Sequence, residues 1–221
     1  MKALFGGLGV YINLWIVEAL CSPVEFIEYR NSARELPVSL IIANSFSTSA
    51  TALLSKTKVQ PHQLSHITLL LIKKKSKEVL HILFLSNILF LILSRPLFEF
   101  LFAQKFTNAW KIFDWYLLLV IPRALFPQTL VNALGLWKQS YLITILECLL
   151  HIILSFVLTY FLGTTGAAIA TLIAFSFEKI LLNWLLYKKN IAPTCFIPAI
   201  IFLLYTIIIV LLFSLKLIFY S

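Results

Sequence analysis

The sequence predicts an all-α integral membrane protein, and three observations carry that prediction. Of its 221 residues 61% are hydrophobic and only 12% charged, with a mean hydropathy of +0.96, far too apolar for a soluble domain of this size. The apolar residues fall in continuous runs rather than alternating, which excludes a spanning barrel with its segments of ~10 residues. Aromatic residues gather where those runs end, at Trp110, Trp115 and Tyr116, at Trp137 and Tyr141, and at Trp184 and Tyr187, as belts at a membrane interface do.

A helix needs about 20 mostly apolar residues to cross the hydrocarbon core. About seven runs meet that length, near 4–21, 36–54, 79–102, 113–136, 141–162, 165–187 and 196–219, in a single membrane domain covering 1–221. The first run follows Met1-Lys2 and reaches Cys21, but Glu18 stands where a cleavage or lipoprotein site wants a small or aliphatic residue, so it reads as a span. Cys21, Cys148 and Cys195 are odd in number and scattered, which fits small hydrophobes rather than a disulfide or metal set.

The second run contains Ser39, Asn44, Ser45, Ser47, Thr48, Ser49 and Thr51, too polar to be surrounded by lipid, so a cavity or packed interface is expected along it. Residues 55–78 follow as a cytoplasmic surface segment ending in Lys73-Lys74-Lys75-Ser76-Lys77, placed near anionic headgroups. His62 and His66 could share a helical face there, but no third ligand accompanies them and no metal site is assigned.

The fourth run carries Arg123 between Pro122 and Pro127. A guanidinium inside the bilayer costs roughly 2.5–3.5 kcal/mol, so a carboxylate, water or anionic ligand must compensate it, and the prolines kink the helix and free its carbonyls. In the fifth run Thr144, Glu147, His151, Ser155 and Thr159 succeed one another at steps of three, four, four and four, which puts them on one helical face. Glu147 and His151, one turn apart, are expected to hydrogen-bond, with Arg123 as the counter-charge of Glu147. No nucleophile or oxyanion motif stands beside them, so the chain does not read as an enzyme. The sixth run opens with Gly166, Ala170 and Ala174 at intervals of four, a helix-packing face, and near its other end carries Glu178 and Lys179, which are expected to find different partners or to reach the interface.

The net charge of +9 is a matter of topology rather than of nucleic acid. Lys2, Lys56, Lys58, Lys73, Lys74, Lys75, Lys77, Lys138, Lys188 and Lys189 fall on one side, and Arg30, Arg34, Arg95, Lys105, Lys111 and Lys216 on the other. The richer side faces the cytoplasm, which places the N-terminus inside and the C-terminus outside.

Several segments resemble one family in order along nearly the whole chain. Ser22–Pro37, with Ala33-Arg34-Glu35-Leu36-Pro37, is similar to the stretch that opens the eighth helix of bacterial polysaccharide flippases. The Lys-rich segment, Phe98–Phe106 and Asn132-Ala133-Leu134-Gly135 continue the resemblance, and Leu162–Thr171 is similar to the family's Gly-x-x-Gly-Ala-Ala-Ile-Ala-Thr turn. The sequence departs from the family pattern at His151, where an Asn is expected, and in Phe102-Ala-Gln-Lys-Phe106.

The family belongs to the multidrug, oligosaccharidyl-lipid and polysaccharide exporter superfamily. The resemblance implies about seven helices forming one half-bundle of a two-half flippase fold, here the C-terminal half, that moves lipid-linked oligosaccharide or polysaccharide precursors by alternating access. It implies partners in the lipid-linked sugar, membrane lipids and a missing N-terminal half or second copy, a truncated or split gene being the first expectation, with no cofactor and no nucleic acid. Under it Arg123 would hold the pyrophosphate, since Arg offers bidentate geometry to phosphate. Glu147 and His151 would gate or couple to protons, and Arg34 and Glu35 would line the outer mouth or cap the second helix. Two other readings stand beside it, a multi-pass enzyme of glycan assembly (polymerase or acyltransferase) and a non-transporting membrane partner subunit.

Overall fold

The computed structural model describes residues 2–56, 66–102, 106 and 109–220, and among these there is no strand. The architecture is all α, as a chain that must satisfy its backbone within lipid requires.

Helix α1 (Lys2–Leu20) stops at Cys21, and Ser22 immediately caps the next helix, α2 (Pro23–Ser32). The Ser22 hydroxyl accepts from the Glu25 N–H, while the Glu25 carboxylate accepts the Ser22 N–H at 2.8 Å, a complete capping box with Pro23 in the first turn. This short polar helix lies outside the spans, and the two hydrogen bonds from Ser22 hold the Glu25 carboxyl below its ordinary range. After residues 33–36 the chain re-enters at Pro37 as α3 (Pro37–Lys56).

Helix α4 (His66–Phe102) runs 37 residues, ~55 Å at the rise of an α-helix and well beyond a ~30 Å hydrocarbon core. The surface segment expected at 55–78 thus continues from His66 straight into the third span, while residues 57–65, His62 among them, lie outside the described residues.

The fourth run is broken into α5 (Ala109–Leu117), α6 (Val120–Arg123) and α7 (Pro127–Ala133), with a bend of 45° between the first two and the third. The prolines are the cause: each removes an N–H from the ladder, and Phe126 takes the left-handed φ of 47° just before Pro127.

Helix α8 (Trp137–Tyr187) contains one non-helical residue, Gly163, at φ 61° and ψ −144°. His151 and Thr171 would be ~30 Å apart on a straight helix. Their side chains are instead 3.3 Å apart, so α8 is a hairpin of two arms, 137–162 and 164–187, folded on Gly163. A 3₁₀ turn at Pro193–Cys195 leads to α9 (Ala199–Tyr220). Four described helices are long and apolar enough to span, or five if the bent α5–α7 segment counts as one.

Lipid is as apolar as a leucine side chain, so these helices associate through close packing and polar contacts rather than by burying oil from water. One cluster gathers Leu80, Leu83, Phe84, Leu91, Phe113, Leu117 and Leu130 between α4, α5 and α7. A second joins Val17, Tyr29, Ile112 and Leu119 to Ala167 and Ala168, where α1 lies along α8. Gly166, Ala170 and Ala174 are all buried in the second arm.

Candidate functional site

Arg123 ends α6, where the broken backbone lets its guanidinium reach the loop before α3. Its Nη2 donates to Glu35 Oε1 at 2.5 Å, and the two side chains retain 22% and 17% of their exposure. Arg123 Nε is buried with no hydrogen-bond partner, and Cζ lies 5.7 Å from the Phe175 ring. The counter-charge of Arg123 is therefore Glu35, not the expected Glu147. Arg34, next to Glu35 on the same loop, is exposed. A guanidinium with unused donors, held by one carboxylate at a break in a span, is a site where an incoming anion can compete.

Within the α8 hairpin the polar face of the first arm turns inward: Thr144, His151, Ser155 and Thr159 are all buried. Glu147 is half-buried at the edge of that face. His151 Nε2 meets the Thr171 hydroxyl across the hairpin, instead of the expected Glu147. Asn13 of α1 inserts between the arms; its amide donates to Thr171 Oγ1 at 2.8 Å and its carbonyl accepts from Ser155 Oγ at 2.6 Å. Thr171 Oγ1 in turn donates to the Ala167 carbonyl at 2.9 Å. Beside this network the Tyr29 and Tyr116 hydroxyls bond at 2.8 Å, joining α2 to α5.

Glu178 and Lys179 were expected to part, yet Lys179 Nζ lies 2.5 Å from Glu178 Oε2. Neighbouring residues on a helix point about 100° apart, but the lysine stem is long enough to curl back.

Sequence reasoning passed over a further ion pair. Lys216 of α9 contacts Asp114 of α5 at 2.7 Å, donates to the Leu91 carbonyl at 2.8 Å, and bonds Ser94 of α4, while Ser94 donates to Asp114 at 2.5 Å. The signal was an acid, Asp114, in an otherwise apolar stretch, which has to find a cation. Asn13 carried a similar signal in the first run.

Helix α3 divides its polar residues. Ser39 accepts from Asn87 at 2.8 Å and Ser47 bonds Thr129 at 2.8 Å, whereas Asn44, Ser45, Thr48 and Ser49 are exposed on the outside of the bundle. Among the described residues no group of three His, Cys, Asp or Glu is placed to hold a metal.

Compared with known proteins, the whole sequence, residues 1–221, matches the model of one family, described as lipid II flippase MurJ. No curated protein matches the chain, and no solved structure does.

Proposed function

The chain belongs to the lipid II flippase MurJ family, multi-pass inner-membrane transporters of lipid-linked precursors and not enzymes, and from that premise we propose that it moves lipid II, with Arg123 as its anion contact. The observation that supports this reading is the Arg123–Glu35 pair. A lipid-linked sugar carries a diphosphate, which presents more charge and more acceptors to a guanidinium than one carboxylate does. On arrival it takes Arg123 from Glu35 and gains Arg34 as a second cation on the same loop. Its release returns Arg123 to Glu35, so the empty state keeps its guanidinium paired within the membrane.

The exposed Asn44 and Thr48 of α3 support a second bundle, either the other half of a two-half transporter or a second copy, closing on this edge around a hydrated path. Glu147, half-buried on the first arm of α8, and His151, in the hairpin network, are the groups through which proton movement would couple to that closure. The lysine distribution sets the N-terminus inside and the C-terminus outside.

Binding of a lipid-linked sugar diphosphate to the full chain in nanodiscs tests the anion contact. Arg123→Ala is expected to weaken binding at least about tenfold, the worth of one charge-assisted hydrogen bond, while Glu35→Gln strengthens it by removing the competitor. Unchanged binding in both variants would overturn the assignment.

A further inference from the structure

Between α3 and α4 runs an open groove of about 720 Å³. Its apolar walls include Ile41, Ile42, Phe46 and Val79, and Ser45, Ser49, Lys74, Lys75 and Glu78 line it as well. Lys75 is paired with Glu78 at 2.9 Å, and Lys74 is exposed beside them.

We propose that this groove is a binding site for one anionic phospholipid of the leaflet at the Lys73–Lys77 end, with an acyl chain along Ile41, Ile42, Phe46 and Val79 and the phosphate at Lys74 and Lys75. The surroundings of the groove decide the occupant. Both walls belong to helices long and apolar enough to span a membrane, so what fills an apolar channel there is hydrocarbon from the neighbouring lipids. Water would leave those walls hydrated, and empty space would forfeit their dispersion contacts. The charge decides the headgroup. Two lysines against the single carboxylate of Glu78 leave a net positive rim, which favours an anionic over a zwitterionic lipid, and the Ser45 and Ser49 hydroxyls can donate to the ester region. Lys73, one residue before this rim, is tied to the Thr194 carbonyl at 2.7 Å, so the headgroup level of α4 is braced against the turn before α9. A lipid bound there would therefore hold α3 against α4 at the end remote from Arg123.

The test is lipid retention. The purified full-length chain is reconstituted in vesicles holding equal phosphatidylglycerol and phosphatidylcholine, extracted into detergent, washed, and its bound lipid identified by mass spectrometry. The expected result is about one phosphatidylglycerol per chain, enriched over phosphatidylcholine. Lys74→Gln with Lys75→Gln lowers the enrichment about fivefold or more, the effect of removing at least one surface lysine's attraction. Ile42→Trp, which fills the groove, abolishes retention of both lipids while helical circular dichroism is unchanged. Equal retention of the two lipids, or retention indifferent to both variants, would overturn the proposal. So would displacement of the lipid by a lipid-linked sugar diphosphate, which would give the groove to the cargo. None of these results depends on Arg123, so the transport reading stands or falls separately.

Discussion

Arg123 and Glu35 compensate each other, and removing either leaves a partly buried charge behind. A fully buried pair broken on one side loses about 3–5 kcal/mol; with the exposure these two retain, Arg123→Ala and Glu35→Gln are each expected to cost about 1–3 kcal/mol. The double variant Arg123→Met with Glu35→Leu strands no charge and is expected to recover most of that stability in thermal unfolding in detergent, yet not to bind a diphosphate headgroup. Recovery of binding with stability would contradict the role given to Arg123. The sequence marks Arg123 because a lone guanidinium in an apolar run demands compensation. It does not say which carboxylate provides it, since Glu35 lies on the loop before α3 and Glu147 on α8, and only the break after α5 decides between them. Asn13 and Asp114 were legible as polar residues in apolar runs, but their partners, Thr171, Ser155 and Lys216, come from distant spans. Helical periodicity orders residues on one helix and carries no information about the facing one.

At the scale of the elements, the inward face of the first α8 arm follows from its spacing of three and four, and the hairpin follows from Gly163. Its φ of 61° with ψ of −144° lies where a side chain is strained, so Gly163→Ala is expected to cost about 1–3 kcal/mol. Gly166→Ala is expected to be worse, because a Cβ there would meet the Leu158 carbonyl oxygen at 2.0 Å and force the arms apart. Thermal unfolding of the two variants ranks them, and a Gly166→Ala protein as stable as wild type would mean the arms are not so closely joined. The capping box of α2 gives a further prediction: Ser22→Ala is expected to cost about 1 kcal/mol. Because the folded-state Glu25 carboxyl is held below its ordinary value, its contribution is complete above the unfolded carboxylate range near 4.3 and is lost as pH falls through the lowered value. Stability of Glu25→Gln should accordingly differ from wild type at neutral pH and converge with it in acid. The breaks in the fourth run were foreseeable from Pro122 and Pro127, but their extent was not, because whether a proline kinks a helix or ends it depends on what the freed carbonyls then meet.

For the molecule as a whole, Asn44 and Thr48, exposed on α3 outside the groove, are the polar edge that lipid cannot suitably cover, and they lie on the helix that follows Glu35 directly. In a cysteine-free background, Asn44→Cys and Thr48→Cys are expected to react with a membrane-impermeant thiol reagent, while Ile153→Cys on the lipid-exposed side of α8 does not; equal reactivity would remove the case for a hydrated path. The membrane class and the family resemblance were legible from hydropathy and motif order; of the aromatic residues read as interfacial belts, Trp137, Trp184 and Tyr187 are exposed, whereas Trp110 and Tyr116 are buried in the bundle. The α3–α4 groove was not, since it exists only once the two helices pack. Passage of a lipid-linked diphosphate by exchange with Glu35 for Arg123 is read out by transbilayer movement of fluorescent lipid II in vesicles carrying the chain with any second bundle it requires. Movement is expected with the wild-type protein, with a loss of at least about tenfold in Arg123→Ala, as for one lost charge-assisted contact. Movement at the wild-type rate in the Arg123→Ala vesicles would contradict it.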